Sequence, residues 1–194
     1  MVNLLLYSLT HGYNIGQIIR SAYITGITKV YIFDPNQVLN VEESEVNYHS
    51  TGLLKSKSDF IEIVSDLNCF LKNYSGRKIS TEIKSTAKSI CNFKFEETDL
   101  IIVGNERTGI PEEISKLCHA SIILPMGRSN YELPKNNNIV AKNWGIFPNF
   151  SVAAAADIVC FFAMNSLGKF ESFDLEALKN DANQSKREEA VFDP

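Results

Sequence analysis

Short, continuous runs of apolar residues alternate along this chain with segments of helical periodicity. The runs at 3–9, 29–34, 60–64, 77–83, 99–104 and 120–126 predict strands, and the stretch at 149–168 predicts a long buried helix that ends at Gly168. A segment at 42–56 predicts a helix that breaks near Gly52. Strands that are apolar on both sides are typical of a parallel sheet covered by helices on both faces. The sequence therefore predicts an α/β domain with a parallel sheet.

The length of 194 residues fits one domain. We assign it to 1–168 and expect 169–194 to be an acidic tail, either a helix packed on a partner subunit or a frayed end. The tail carries a net charge of −3 and the whole chain −4, which argues weakly against a nucleic-acid binder but leaves the body nearly neutral. A nearly neutral body can still present a basic face.

The length of the apolar runs and the spacing of the cysteines indicate the cellular compartment of the protein. The apolar runs are all shorter than the roughly 20 residues of a membrane helix, and the opening segment predicts a first strand and not a signal peptide. The four cysteines are scattered without a CxxC pair, and the three histidines lack metal-ligand spacing. We expect a cytoplasmic protein with reduced thiols, no membrane association and no metal.

The first candidate segment is NIGQIIRSAYITGI at 14–27, an amphipathic helix that carries Arg20 beside its apolar face. Ligands of an open parallel sheet bind beyond the carboxyl ends of the strands, where this helix begins with Asn14 as a plausible N-cap. Helical side chains lean towards the N-terminus, so Gly16 would leave Arg20 an open path to that edge. The alternative is a surface arginine beside a glycine that makes a helix–sheet contact.

Two further segments follow strands and could reach the same edge. In IIVGNERTGIP at 101–111, Gly104 and Gly109 permit close backbone approach, and Glu106 is an acidic group at the end of a strand. This loop is not a phosphate-binding P-loop, and the chain contains no GxGxxG pattern. The third segment combines ILPMG at 123–127 with IFPNFSVAAAA at 146–156, where small residues favour tight helix packing.

The three segments, in this order, resemble the motifs of SpoU/TrmH-type RNA ribose 2′-O-methyltransferases of the SPOUT superfamily. The family patterns are N-x-G-x-x-x-R, then G-N/x-E-x-x-G-L/I, then I-P-M-x-G leading to S-L-N-x-S-V-A-x-A, and the resemblance covers about 2–168. It implies a C-terminal trefoil knot, a rare exception to unknotted topology. It also implies S-adenosylmethionine as cofactor, tRNA or rRNA as substrate, and a homodimer.

The resemblance also implies roles for individual residues. Arg20 would lie at the reacting ribose, where it would hold the adjacent phosphate and stabilise developing negative charge, because an arginine is too basic to accept the proton. Asn14, Glu106 and Asn149 would complete the catalytic set. The cofactor would be bound by the residues of the strand ends and of the knot: Ser80, Thr81, Gly104, Asn105, Glu106, Leu124, Pro125, Met126, Gly127, Pro148 and Asn149.

Two departures from the family pattern keep alternatives open. Phe147 replaces the family serine and cannot form its hydrogen bonds, so either Ser151 or a loop residue substitutes or catalysis is impaired. The insertion at 128–146 carries a net charge of +2 together with Tyr131 and Trp144, a composition that suits RNA contact but also a dimer contact or a lid. The competing functions are a noncatalytic RNA- or protein-binding module on the same scaffold and a flavodoxin-like nucleotide-binding protein.

Overall fold

The computed structural model describes residues 2–57, 59–126 and 150–170. Seven strands in this part of the chain form one sheet in the order β3-β2-β1-β6-β4-β7-β5, and every ladder is parallel. Their bounds are β1 Asn3–Tyr7, β2 Lys29–Phe33, β3 Ile61–Ile63, β4 Lys78–Thr81, β5 Lys88–Ser89, β6 Leu100–Val103 and β7 Ala120–Ile123. The predicted parallel sheet is confirmed.

Helices connect the strands, as the alternating pattern predicts. They are α1 Gly12–Thr25, α2 Val38–Val41, α3 Glu43–His49, α4 Leu53–Ser56, α5 Leu67–Asn73, α6 Glu112–Ser115 and α7 Val152–Ser166, with a 3₁₀ turn at Ile90–Asn92. The predicted break lies between α3 and α4, where Gly52 has a φ of 81°. The predicted N-cap is wrong: α1 begins at Gly12 after His11, and Asn14 lies inside its first turn.

Alternating strand residues fill two apolar cores, one on each face of the sheet. Leu4 and Leu6 point into the core formed with α1 and α7, while Leu5 points into the core formed with α5 and α6. The side chains of β6 alternate in the same way, with Ile101 in the core on the first face and Ile102 in the core on the second. The two-sided burial explains why these strands are continuously apolar in the sequence.

The strand order places a crevice at the carboxyl edge of the sheet. β1 and β6 are neighbours, but α1 follows β1 onto one face and α6 follows β6 onto the other. In open α/β sheets, ligands bind at such a switch point. The chain therefore presents its first two motif segments on either side of one crevice.

Several sequence expectations concern residues that the structure does not describe. The insertion at 128–146 and the predicted final turn of the knot, at Pro148 and Asn149, fall within 127–149. Almost the whole tail falls within 171–194, and both ranges lie outside the described residues. Among the helices of the described ranges, none has the length and apolar character needed to cross a membrane. The same ranges contain no cluster of three or more His, Cys, Asp or Glu residues suited to a metal ion.

Candidate active site

A cavity of about 340 Å³ lies at the carboxyl edge of the sheet. Its walls come from the residues after β4, β6 and β7 and from the starts of α1 and α7. The predicted site residues among them are Asn14, Thr81, Gly104, Asn105, Glu106, Leu124 and Met126. The structure therefore brings the three motif segments together around one space.

The loop after β6 is closed by its own backbone and by Asn105. The amides of Asn105 and Gly109 each donate to the other residue's carbonyl, at 3.1 and 2.9 Å. Asn105 Oδ1 accepts from the amides of Arg107 and Thr108, and its Nδ2 donates to the carbonyl of Ser8. A Cβ on Gly104 would lie 2.5 Å from the carbonyl carbon of Gly109, so only glycine fits this position without a backbone shift.

Glu106 joins the second motif segment to the first. Its carboxylate accepts from the amide of Thr10 at 3.0 Å, from Thr10 Oγ1 at 3.0 Å and from Asn14 Nδ2 at 2.9 Å. Glu42 accepts a further hydrogen bond from the amide of Gly12. Two carboxylates thus meet the positive end of α1, which makes this terminus a poor place for an additional anion.

Arg20 is not among the described residues that line the cavity. It follows Asn14 by six residues, which is about 9 Å along a helix axis, and its side chain is exposed. The proposed open path is wrong, because a Cβ on Gly16 would lie 2.7 Å from the carbonyl oxygen of Val46 and 2.8 Å from Cβ of His49. Gly16 instead permits close packing of α1 on α3, so its contact is between two helices and not the helix–sheet contact of the alternative.

A buried polar cluster lies under the wall formed by the end of β4. Ser80 is fully buried, does not line the cavity, and contacts Ser121 Oγ at 2.7 Å. Thr81 does line the cavity, and its Oγ1 is buried without a hydrogen-bond partner among the described residues.

The carboxylate of Glu82 also lines the cavity and accepts from Lys84 Nζ at 2.8 Å and Ser115 Oγ at 2.7 Å, and from Ser80 Oγ. Burial by itself raises the pKa of Glu82, but these hydrogen bonds and the charge of Lys84 outweigh it and lower the pKa. Glu82 is therefore an ionised carboxylate in the cavity wall.

The third motif segment is described only in part. Pro125 is exposed and is not among the cavity-lining residues, whereas Gly127, Phe147, Pro148 and Asn149 lie outside the described residues. Ser151 lines the cavity and caps α7, its Oγ accepting from the amide of Ala154 at 3.3 Å.

Several cavity residues are not predicted from the sequence, above all Glu82, His11 and Phe150. The sequence does contain a signal for Glu82, because an acidic residue inside the predicted strand 77–83 is unusual for an otherwise buried segment. His11 and Phe150 each precede a helix by one or two residues, and their position depends on where α1 and α7 begin.

The profile of the SpoU rRNA methylase family matches residues 1–132 of this chain. The match spans more than half of the chain and contains the complete first and second motif segments. The chain belongs to the SpoU rRNA methylase family. This confirms the resemblance and the expected class of RNA methylase, and it decides against the flavodoxin-like alternative.

Solved structures share the fold at low sequence identity. The SpoU methyltransferase AviRb from Streptomyces viridochromogenes is 20% identical, with a TM-score of 0.62 over 85% of this chain and 59% of AviRb. The chain thus spans about three fifths of the length of AviRb. The A. aeolicus TrmH/SpoU tRNA-modifying enzyme is 16% identical, with a TM-score of 0.63 over 97% and 88% of the two chains. A third solved structure, which concerns the 2-OH methylation of C/U34 on tRNA, is 18% identical. Its TM-score is 0.66, over 87% of this chain and 97% of the other chain.

Proposed function

We propose that this protein transfers a methyl group from S-adenosylmethionine to a ribose 2′-hydroxyl of tRNA or rRNA. The observation that carries the proposal is that residues from all three motif segments line one cavity. The chain that contains this cavity belongs to the SpoU rRNA methylase family. AviRb has been solved in complex with AdoMet, and another structural neighbour is an RNA 2′-O ribose methyltransferase. Both properties agree with the proposed cofactor and reaction.

The described residues fit the proposed cofactor. The cavity volume of about 340 Å³ lies within the usual range of small-molecule sites. Ile83, Ile110 and Leu124 supply apolar walls for a flat base, and the unpartnered hydroxyl of Thr81 supplies a hydrogen-bonding group that lacks a protein partner among the described residues. An orphaned polar atom in a cavity wall is costly unless a ligand or water satisfies it.

S-adenosylmethionine would supply an activated methyl group on a sulfonium, so the protein must mainly align a hydroxyl and tolerate negative charge on its oxygen. Glu106 holds Asn14 and the start of α1 against the cavity. Arg20 supplies the positive charge for the ribose oxygen or the adjacent phosphate. Because its guanidinium stays protonated, the proton of the hydroxyl passes to water or to a relayed base.

A homodimer is part of the proposal, and an apolar surface on α1 and α7 supports it. The starts of α1 and α7 both line the cavity, and near their ends Met164 Cε lies 3.2 Å from where a Gly26 Cβ would be, so the two helices run in the same direction. Ile24 and Phe161 precede this contact by two and three residues, so they lie at about the same level. They are 70% and 52% exposed, an exposure of large apolar side chains that is typical of an interface.

The same surface would bring Arg20 close to the partner subunit. Arg20 and Ile24 are four residues apart and share one face of α1. In a dimer built on Ile24 and Phe161, Arg20 faces the partner subunit and not its own cavity. We propose that each cavity receives the arginine of the other protomer.

We propose a cytoplasmic location as well. All four cysteines lie within the described residues and are unpaired, which agrees with a reducing compartment.

Calorimetric titration with S-adenosylmethionine and S-adenosylhomocysteine tests the cofactor site. We expect micromolar binding to the wild type and to the Arg20→Ala variant, because Arg20 lies outside the cavity of its own chain. Methyl transfer to RNA should fall at least about 100-fold in Arg20→Ala, a loss typical of removing a group that stabilises transition-state charge. Lys72→Ala, which removes an exposed cation on α5, is the matched control. A wild-type protein that binds neither S-adenosylmethionine nor S-adenosylhomocysteine would contradict the proposed function.

A further inference from the structure

Among the described residues that line the cavity, Glu82 differs from Glu106 in how its two carboxylate oxygens are used. Its side chain is only 8% exposed, yet it lines the cavity. All of its hydrogen bonds from described residues end on Oε1, which receives Lys84 Nζ and the hydroxyls of Ser80, Ser115 and Ser121. Oε2 accepts no hydrogen bond from a described residue.

Glu106, the other cavity carboxylate, has no such free position. Both of its oxygens accept from Thr10 or Asn14, so its hydrogen bonds hold α1 in place. Glu82 lines the cavity and is held by donors that all reach Oε1, which leaves Oε2 without a donor among the described residues. A rigidly held acceptor with one vacant lone-pair region is suited to receive a donor from a ligand.

The charges around Glu82 indicate the kind of donor. Lys84 lies 2.8 Å from the carboxylate and balances its charge, so the site does not need a cationic ligand to be stable. A second ammonium would also be repelled by Lys84. A neutral hydroxyl can donate to an ionised oxygen without that penalty, and a carboxylate at a strand end is a known acceptor for ribose hydroxyls.

We infer that Glu82 Oε2 accepts a hydrogen bond from a ribose hydroxyl of the cofactor and so selects a nucleoside in this cavity. The inference rests on the proposed cofactor. It assigns to Glu82 a binding role that none of the three motif segments contains.

The test is calorimetric titration of wild type and Glu82→Gln with S-adenosylhomocysteine and with 5′-methylthioadenosine. The second ligand lacks the amino-acid moiety but keeps both ribose hydroxyls. Glutamine retains a carbonyl oxygen for Lys84 and Ser115, but it lacks the charge and places an amide where Oε2 stands. We expect about 10- to 100-fold weaker binding of both ligands, by the same factor, as for the loss of a hydrogen bond to a charged group.

The 2′-deoxy and 3′-deoxy forms of 5′-methylthioadenosine identify the hydroxyl. One of them should bind the wild type more weakly, and Glu82→Gln should then cause little further loss, because the two changes remove the same interaction. The matched control is Glu112→Gln, which removes an exposed carboxylate that is also paired with a lysine. It should bind both ligands like the wild type.

If Glu82→Gln unfolds because Lys84 is left without its ion pair, the double variant Glu82→Gln/Lys84→Met removes both charges and is titrated instead. Unchanged affinity in the folded variant overturns the inference and leaves the proposed function standing. A loss confined to S-adenosylhomocysteine also overturns it, because the contact would then be to the ammonium. A wild type that binds neither ligand contradicts the proposed function and the inference together.

Discussion

Glu106 and Glu82 are carboxylates at the same edge of the sheet, but their surroundings differ. Glu106 accepts hydrogen bonds from the loop before α1 and from Asn14, and it links two segments that are 92 residues apart in the chain. Glu82 is buried against Lys84 and Ser115. The first carboxylate fixes the position of a helix, and the second lines the cavity with its charge paired to Lys84.

Replacing Glu106 by Gln should weaken both the fold and the cofactor site. One end of the glutamine amide is a donor and would face the donors of Thr10 or Asn14. We expect a loss of about 1–3 kcal/mol in the free energy of unfolding, together with weaker cofactor binding. Urea denaturation and calorimetry measure the two effects. Glu45→Gln, an exposed carboxylate on α3, serves as the control, and equal stability of Glu106→Gln and wild type would contradict this role.

The lowered pKa of Glu82 predicts a dependence of stability on pH. A carboxyl whose pKa is lower in the folded state stabilises the protein above its unfolded-state pKa, and that stabilisation disappears as the pH falls through the folded-state value. The difference in unfolding free energy between wild type and Glu82→Gln should therefore be largest near neutral pH and shrink below about pH 4. Urea denaturation at a series of pH values checks this. A difference that grows towards acid would have the wrong sign.

At the scale of elements, the existence of the strands and long helices could be predicted because continuous apolar runs and helical periodicity are local properties. The start of α1 could not, since Asn14 has the chemistry of a cap but forms its hydrogen bond with Glu106, far away in the sequence. The partner of Gly16 was also hidden, because only the tertiary fold brings α3 against α1. Glu82 was missed because its lysine and serine partners come together only when β4 and α6 are adjacent.

The contact between α1 and α3 yields a prediction at Gly16. Alanine is about 1 kcal/mol better than glycine in a helix interior, but its Cβ would lie 2.7 Å from the carbonyl oxygen of Val46. The steric cost should win, with a net loss of about 1–3 kcal/mol in unfolding free energy. Gln17→Ala, at the next position, should be close to neutral because its hydrogen bond to Tyr13 is long and exposed, at 3.4 Å. An unchanged or raised melting temperature for Gly16→Ala would contradict the packing.

At the scale of the whole molecule, the order of the strands explains how distant motif segments form one site. β6 pairs with both β1 and β4, so the ends of these strands meet although the chain visits them at widely separated positions. The motif resemblance anticipated this convergence. It also implied that Arg20 belongs to the site, and Arg20 is not among the described residues that line the cavity of a single chain.

The proposed dimer predicts that charge on the surface of Ile24 and Phe161 will separate the subunits. Ile24→Glu should shift the protein towards monomer, because burying an unpaired carboxylate in an apolar interface is costly. Val41→Glu is the control, since Val41 is 79% exposed and belongs to α2, which is not one of the two helices of that surface. Sedimentation velocity measures the change. A wild type that is already monomeric, or two variants that behave alike, would contradict the interface.

The central claim is ribose methylation of RNA, and nucleoside analysis tests it most directly. The protein is incubated with isotopically methyl-labelled S-adenosylmethionine and unmodified tRNA and rRNA, and the RNA is digested to nucleosides for mass spectrometry. We expect the label in a 2′-O-methylated nucleoside, on the ribose fragment. The label should disappear with the Arg20→Ala variant but not with the Lys72→Ala variant. Label on a base, or no label while the wild type binds the cofactor, would contradict it.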